Sequence, residues 1–146
     1  ADMRAAYDAL DEDIKARAEG QICEHSQVYS RGKIGFTEFT DEERLRFAPV
    51  RQVLVRSHPA TARKSLFLSS HAGGIVGWPV PEANIFLRDL NEHATQREFV
   101  YAHEWRVGDL VILDNRRTMH RARPFPAEEP RDMRRTTLAG DGPTVP

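Results

Sequence analysis

The sequence predicts an α+β fold, mostly β, whose sheets are antiparallel rather than parallel. Short apolar runs at residues 53–55, 65–70 and 110–113 are bounded by turn residues, a pattern that is typical of strands. Apolar residues near the start of the chain, and again in residues 85–93, recur at helical spacing instead. The 146 residues contain neither an internal repeat nor a linker-like stretch. We therefore expect one domain at most, with helices outside short strands.

The composition argues against several classes of partner. A formal net charge of −1 gives no global basic field that would attract nucleic acid. No apolar run approaches the roughly 20 residues of a membrane span, and the acidic and basic N-terminus does not resemble a signal peptide. Cys23 is the only cysteine, so no internal disulfide can form. We expect a reducing, cytoplasmic location and neither a nucleic-acid nor a membrane partner.

Two helices are predicted at the start of the chain. Asp2 is a plausible N-cap, and apolar residues follow it at helical spacing as far as Leu10. Asp11 is a plausible cap for a second helix that continues through Ala18 and is stopped by Gly20.

Residues 21–70 contain segments that predict a loop, a short helix and two strands. Residues 21–40 give conflicting signals, and we expect a long loop there. Thr40 and Glu43 form a capping-box pattern for a short helix through Phe47. Strands are predicted at residues 53–55 and 65–70.

The middle of the chain leads from a turn into a helix and a further strand. Gly73-Gly74 is a turn signal, and the prolines at 79 and 81 precede a helix. Ile85, Phe86, Leu90 and His93 lie near one stripe of that helix. Residues 99–101 predict the next strand, and the tail after Leu138 is expected to be irregular.

A motif near the C-terminal end suggests the chemistry. Asp114-Asn-Arg-Arg-Thr-Met-His120 follows the apolar run at 110–113, and Asp114 with its neighbour Asn115 has the character of a turn. Arg131 lies eleven residues and Arg135 fifteen residues after His120, in a predicted arginine-rich strand. Side chains alternate along a strand, so these two arginines would share one face with Met133 while Arg134 points to the other.

This motif resembles the C-terminal half of the TauD/TfdA family of Fe(II)- and 2-oxoglutarate-dependent dioxygenases. Residues 2–10 and 93–101 also resemble blocks of that family, and the chain is most similar to its 2,4-dichlorophenoxyacetate dioxygenase branch. The resemblance implies the C-terminal part of a double-stranded β-helix (jelly roll) with helical insertions. It also places the variable residues 21–40 near the mouth of the active site. Because Ala1 falls within such a block, we expect the sequence to be part of a longer protein.

The resemblance implies roles for three residues. His120 matches the second histidine ligand of the iron, although a lone histidine can also be an ordinary core or surface residue. Arg131 resembles the arginine that holds the distal carboxylate of 2-oxoglutarate, since a planar guanidinium grips a carboxylate through two hydrogen bonds. Arg135 resembles the arginine that faces the anionic group of the substrate and the near carboxylate of 2-oxoglutarate. Alternatively, Arg135 pairs with Glu128 or Glu129.

The family's other two iron ligands, from a His-x-Asp motif, are absent. None of the six histidines is followed two residues later by Asp or Glu. The remaining histidines show no metal-binding spacing, and we interpret them as structural: His25, His58, His71, His93 and His103. Leu113 stands where relatives often carry Trp beside the cosubstrate. We predict that this chain alone binds Fe(II) poorly and supplies no catalytic residue of its own.

The function implied is therefore that of a parent enzyme. It would use Fe(II), 2-oxoglutarate and O2 to hydroxylate an anionic small molecule, and we expect an aryloxyalkanoate. Cleavage of the ether would then release a phenol and a 2-oxoacid, with succinate and CO2. A sulfonate such as taurine would also suit Arg135, and a non-catalytic jelly roll that binds a dicarboxylate is the alternative. We expect the chain to associate either as a homo-oligomer or with the missing N-terminal half.

Overall fold

The structure of the chain is a computed structural model, and it describes residues 1–140, 142, 144 and 145. Its helices and strands all lie between residues 3 and 99. The described residues after position 99 form turns, one isolated β-bridge at Thr118 and irregular segments. The predicted irregular tail agrees with this as far as it is described, while Asp141, Pro143 and Pro146 lie outside the described residues. None of the described helices is long and apolar enough to cross a membrane.

Ten helices and strands and one 3-10 helix are described. Helices α1 and α2 come first, strand β1 is followed by helices α3 and α4, and strands β2 to β5 then precede α5 and the 3-10 helix. Their bounds are, in chain order, α1 (Met3–Asp8), α2 (Glu12–Ala18), β1 (Ile22–His25), α3 (Gln27–Gly32), α4 (Asp41–Arg46), β2 (Val50–Val53), β3 (Val55–Ser57), β4 (Lys64–Leu66), β5 (Ala72–Ile75), α5 (Val80–Ala94) and the 3-10 helix (Arg97–Phe99).

The predicted helix starts follow local capping chemistry. The Asp2 side chain accepts hydrogen bonds from the backbone N–H groups of Arg4 (2.9 Å) and Ala5 (3.4 Å), which are otherwise unsatisfied at a helix start. Helix α2 also forms as predicted, but Asp11 precedes it without a side-chain capping bond. Gly20 follows the helix with φ +74°, the left-handed conformation that glycine adopts without strain.

The predicted long loop at residues 21–40 is wrong for its first half. Strand β1 lies there at the centre of a three-stranded antiparallel sheet of order β2-β1-β5, with Cys23 fully buried. The Ser26 hydroxyl then caps α3 by accepting a 3.1 Å hydrogen bond from the N–H of Tyr29. The strand was missed because it is only four residues long and has one buried side chain, so it carries no clear alternation.

The single strand predicted at residues 53–55 is two strands in two different sheets. Strand β2 pairs with β1, whereas β3 pairs with β4 in a separate two-stranded sheet. Leu54 joins them, fully buried, with its N–H bonded to the Gln21 carbonyl (2.8 Å) and its carbonyl to the Phe67 N–H (2.7 Å). The predicted strand at residues 65–70 shortens to β4.

The turn predicted at Gly73-Gly74 is also wrong, because both glycines lie within strand β5. The ring of Tyr29 lies against the backbone of Gly73, where a Cβ atom would be 2.7 Å from the Tyr29 Cγ. Glycine is therefore needed here for close approach of a side chain rather than for a turn.

Helix α5 forms after Pro79 as predicted and supplies much of the core. Phe86 and Leu90 are buried, whereas Ile85, which we placed in the same stripe, is 52% exposed. The core packs α1, α5, both sheets and the residues between them around the following buried side chains: Met3, Ala6, Tyr7, Leu10, Ala18, Cys23, Leu54, Leu66, Leu68, Ala72, Ile75, Ala83, Phe86, Leu87, Leu90 and Ala94.

The strands predicted at residues 99–101, 110–113 and 131–138 are not formed in the described chain. Residues 110–113 are apolar but exposed, Leu110 and Ile112 by more than four fifths. A strand needs a neighbour to satisfy its backbone N–H and C=O groups, and no described segment pairs with these. The α+β, antiparallel character is confirmed by β1 to β5, whereas the described residues do not close a double-stranded β-helix.

Candidate functional site

The segment that leads to His120 is fixed by a turn centred on Asp114. The Asp114 carboxylate accepts hydrogen bonds from the Arg116 N–H (2.9 Å), from the Arg116 guanidinium (3.0 and 3.1 Å) and from the Arg117 Nε (3.0 Å). The Thr118 hydroxyl donates a 2.8 Å hydrogen bond to the Asp114 carbonyl. These donors hold the pKa of Asp114 well below its usual range, the Arg116 side chain most strongly. Asp114 is therefore a turn residue, as the sequence predicts.

The same segment is attached to the start of the chain by backbone pairing. The Met3 N–H donates to the Arg117 carbonyl (2.9 Å), and the Met119 N–H donates to the Ala1 carbonyl (3.1 Å). The amino group of Ala1 donates to the Met119 carbonyl (2.7 Å), and Asp2 forms an antiparallel bridge with Thr118. Met119, the residue just before His120, is thereby hydrogen-bonded to Ala1, which lies just before helix α1.

A histidine completes this anchoring on the other side of the turn. The Arg117 guanidinium donates to the Nε2 atom of His58, which lies in the loop after β3. The pKa of His58 is lowered, by desolvation first and then by the neighbouring positive charges of Arg117 and Arg116. The neutral imidazole is the form that accepts this bond. His58 is thus structural, as predicted.

The proposed binding residues themselves lie in exposed, irregular chain. His120 follows Met119 directly and is exposed, as are Arg131 and Arg135. The guanidinium of Arg131 lies 4.8 Å from the centre of the Phe125 ring, a cation–π contact. Leu113, the position where relatives often carry Trp, is 43% exposed.

A site shared by His120, Arg131 and Arg135 stays a prediction. No hydrogen bond or ion pair joins these three described residues, and guanidinium groups, which only donate hydrogen bonds, do not bond to one another in any case. The predicted strand that would have put both arginines on one face is absent, so their shared face stays a prediction. Arg135 forms no ion pair with Glu128 or Glu129 either, and the exposed Arg134 lies 3.9 Å from Asp132.

No metal centre is formed by the described part of the chain. Its His, Cys, Asp and Glu side chains contain no group of three that could hold a metal ion. The other histidines have partners of their own: His25 with Ser69 (3.1 Å), His71 with Ser30 (2.7 Å), His93 with the Ala6 carbonyl (2.8 Å) and His103 with Asp109 (3.0 Å). Their structural interpretation therefore agrees with their contacts.

His25, in strand β1, differs from these in one respect. Its Nε2 atom is buried and has no hydrogen-bond partner among the described residues. Desolvation, followed by the nearby positive charge of a protonated His71, lowers the pKa of His25. Nothing in the sequence indicates this environment, because β1 is not predicted from it.

A second feature that the sequence did not reveal is an open surface depression of about 420 Å³ beside α3. Its lining includes Tyr29, Lys33, Phe36 and Arg44, so aromatic rings and cationic groups occur together there. The only signal in the sequence was the clustering of aromatic and basic residues in positions 29–47. That clustering does not predict a depression without the fold.

Comparisons with known proteins identify related sequences over almost the whole chain. Residues 1–137 match the model of the family described as "Taurine catabolism dioxygenase TauD, TfdA family". An alpha-ketoglutarate-dependent 2,4-dichlorophenoxyacetate dioxygenase from Cupriavidus pinatubonensis is 46% identical over 140 residues, which are 96% of this chain and 49% of that protein. A (S)-phenoxypropionate/alpha-ketoglutarate-dioxygenase from Sphingobium herbicidovorans is 43% identical, over 97% of this chain and 51% of that protein.

A solved structure also resembles the chain. The crystal structure of AAD-2 in complex with Mn(II) and N-oxalylglycine superposes with a TM-score of 0.95 at 63% identity. The match covers 99% of this chain and 57% of that one. The chain thus spans about half the length of the curated relatives it matches.

Proposed function

This chain belongs to the TauD/TfdA family of dioxygenases, and we propose that it is the part of a 2-oxoglutarate-dependent dioxygenase that binds the carboxylates of the cosubstrate and substrate. The observation that carries the proposal is the 46% identity to a 2,4-dichlorophenoxyacetate dioxygenase across 96% of the chain. The similarity to a (S)-phenoxypropionate dioxygenase supports the same substrate class, an aryloxyalkanoate.

The proposed reaction couples two oxidations. One atom of O2 enters 2-oxoglutarate, which loses CO2 and becomes succinate. The other hydroxylates the carbon next to the ether oxygen of the substrate, and the product collapses to a phenol and a 2-oxoacid. Fe(II) would supply the oxygen chemistry, as the family implies.

The described residues do not by themselves fit an iron site. An oxygenase iron of this type takes two histidines and one carboxylate, and the described residues contain no cluster of three candidate ligands. His120 would supply one ligand, and two more must come from outside these residues. We therefore expect this chain alone to bind Fe(II) poorly and to turn over no substrate.

The chain's own contribution is to bind and orient anions. We assign Arg131 to the distal carboxylate of 2-oxoglutarate and Arg135 to the anionic group of the substrate, because guanidinium keeps its charge at every physiological pH. The segment from Asp114 to Met119 is anchored to the start of the chain, since the backbone of Met119 is hydrogen-bonded to that of Ala1. This anchoring supports a fixed position for His120, the next residue.

Two further properties belong to the proposal. The TM-score of 0.95 to AAD-2 supports a double-stranded β-helix as the fold of the protein in which the chain functions. A cytoplasmic location remains a prediction from the single cysteine, as do a homo-oligomer and pairing with a separate N-terminal half.

The test is an anaerobic titration of the full-length protein with Fe(II) and 2-oxoglutarate, followed by the visible absorbance of the chelate. Arg131→Gln removes a bidentate, charge-assisted contact of about 1.5–3 kcal/mol. It should therefore weaken 2-oxoglutarate binding by about 10- to 100-fold. Arg134→Gln is the matched control, because Arg134 is exposed in the same segment, and it should change nothing.

The ligand assignment is tested in the same titration. His120→Ala should abolish the absorbance band. His103→Ala, which removes a ring that contacts Asp109, should preserve the band. If 2-oxoglutarate binds without Fe(II), this result would contradict the proposed enzyme function and favour the alternative, a dicarboxylate-binding module. Equal affinities of the Arg131→Gln and Arg134→Gln variants would show that the assignment of Arg131 is wrong.

A further inference from the structure

Strand β1 ends at His25, whose ring contacts the segment that leads into strand β5. The Nδ1 atom of His25 lies 3.1 Å from the hydroxyl oxygen of Ser69, and the ring centre lies 5.3 Å from that of Phe67. The backbone N–H of His71 donates a 3.1 Å hydrogen bond to the same Ser69 hydroxyl. Ser69 therefore connects the two histidines.

Helix α3 is attached to this segment through His71. The N–H of Ser26, the N-cap of the helix, donates a 2.9 Å hydrogen bond to the His71 carbonyl. The Ser30 hydroxyl lies 2.7 Å from the Nδ1 atom of His71 and donates a 3.0 Å hydrogen bond to the Gln27 carbonyl. Because both ends of the short helix bond to His71, the position of this residue determines where α3 lies against the sheet.

The neutral form of His25 suits this junction of β1, α3 and β5, whereas the charged form does not. A neutral imidazole can place its single N–H on Nδ1, next to Ser69, and leave Nε2 without a proton. The imidazolium carries an N–H on both nitrogens. The Nε2 atom is buried and has no hydrogen-bond partner among the described residues, so its added N–H would lack an acceptor. Burying a charged donor in this way is costly.

The charged groups around the ring do not offset this cost. His71 is cationic when protonated and repels a proton on His25. Arg56 of β3 lies over the Phe67 ring that contacts His25, with its guanidinium carbon 4.6 Å from the ring centre.

The carboxylate nearest in sequence is also directed elsewhere. Glu24 precedes His25 in β1, so its side chain points to the opposite face of the strand, where it accepts a 3.1 Å hydrogen bond from Arg51 of β2. The side chains of α3 that carry charge, Arg31 and Lys33, are both cationic. No carboxylate among the described residues forms an ion pair with His25.

From these contacts we propose that protonation of His25 opens the junction of β1, α3 and β5 and releases helix α3 from His71. The neutral ring keeps the end of β1 against Ser69, which in turn positions the residue that holds α3. The inference rests on this junction alone and goes beyond the proposed reaction. It requires neither iron nor 2-oxoglutarate, so a failure of the proposed function leaves it unchanged.

The direction of the pH dependence follows from the lowered pKa of His25 in the closed junction. In the open junction the ring is exposed and has the ordinary histidine pKa of about 6.5. Below that pH the open form binds more protons than the closed form, so acid favours opening. Opening should increase by at most about tenfold for each pH unit below 6.5, the limit for one proton, and should level off above about pH 7.5.

Hydrogen–deuterium exchange of the full-length protein, followed by mass spectrometry, measures this opening. Each amide rate is divided by the intrinsic rate at the same pH. The protection of the α3 amides should then fall by about three- to tenfold between pH 7.5 and pH 5.5, whereas the amides of α5 should keep theirs. Exchange of the imidazole C2 proton in the peptide that contains His25 gives the pKa of that ring in the same samples.

Substitutions separate His25 from the other titrating groups. His25→Asn keeps a polar group that can bond to Ser69 but takes up no proton in this range, so α3 should stay protected at both pH values. His103→Gln is the matched control, because it removes a titrating ring that bonds to Asp109 instead. It should retain the pH dependence of the unsubstituted protein.

Three outcomes would overturn the proposal. The first is a pH dependence of α3 protection that is the same in His25→Asn as in the unsubstituted protein. The second is a pKa of His25 at or above the ordinary value, which the unsubstituted protein reports even if the variant does not fold. The third is an equal loss of protection in α3 and α5, because that would indicate unfolding of the whole domain rather than opening of this junction.

Discussion

The guanidinium of Arg116 grips both carboxylate oxygens of Asp114, at 3.0 and 3.1 Å, within the turn that precedes His120. Arg117 adds a third guanidinium contact at 3.0 Å. Asp114 therefore organises the turn whose far end is bonded to Ala1 and Met3. The conformation of the segment before His120 therefore depends on the Asp114 carboxylate.

Replacing Asp114 should reduce stability in a way that depends on pH. Asp114→Asn removes partly exposed ion pairs, so we expect a loss of about 1 kcal/mol in the free energy of unfolding at pH 7. The folded pKa of Asp114 is depressed, so its stabilisation is present above the unfolded pKa of about 4 and is lost as pH falls further. Urea unfolding at several pH values measures this.

The control for this prediction is Asp132→Asn, because Asp132 is exposed and lies 3.9 Å from Arg134. Its effect should be near zero at every pH. A loss for Asp114→Asn that is as large at pH 3 as at pH 7 would contradict the ionic explanation and point to the shape of the turn instead.

The packing of Tyr29 on Gly73 gives a second prediction. A Cβ atom at position 73 would lie 2.7 and 2.8 Å from the Tyr29 Cγ and Cδ1 atoms, so the ring must move. Gly73→Ala should therefore destabilise the chain by about 1–3 kcal/mol. Gly74→Ala is the matched control in the same strand, since a Cβ there meets nothing within 4 Å. Thermal unfolding of both variants makes the comparison, and equal melting temperatures would contradict it.

Elements defined by neighbouring residues could be predicted from the sequence. The Asp2 cap of α1, the Thr40–Glu43 capping box and the Asp114 turn depend on hydrogen bonds within a few residues. These contacts need no distant partner, so the local sequence indicates them. The predictions at these positions agree with the structure for that reason.

Elements defined by distant residues could not be predicted in the same way. Residues 110–113 have the composition of a buried strand but no described pairing partner, and they are exposed. The bridge between Asp2 and Thr118 joins positions more than a hundred residues apart, which no local pattern indicates. Local composition indicates the propensity of a segment for β structure, whereas pairing with another strand and burial determine whether a strand forms.

The two faces of helix α5 provide a third prediction. Leu90 is 2% exposed, whereas Ile85, five residues earlier on the same helix, is 52% exposed. Leu90→Ala should cost about 2–5 kcal/mol because it leaves a cavity in the core, and Ile85→Ala should cost less than about 1 kcal/mol. Denaturant unfolding of the two variants tests whether α5 faces the core as described, and a larger loss for Ile85→Ala would show that the helix is rotated.

The buried thiol of Cys23 provides the last prediction. Burial in the central strand raises the pKa of Cys23 to about 12, so almost no thiolate exists at pH 8. The folded chain should react with a disulfide reagent only as fast as it opens, and urea should accelerate the reaction at least a hundredfold. Ser57→Cys, which places a second thiol at an exposed position of β3, is the control and should react at once with one equivalent. Rapid reaction of two thiols in that folded variant would mean that β1 does not occupy the centre of the sheet.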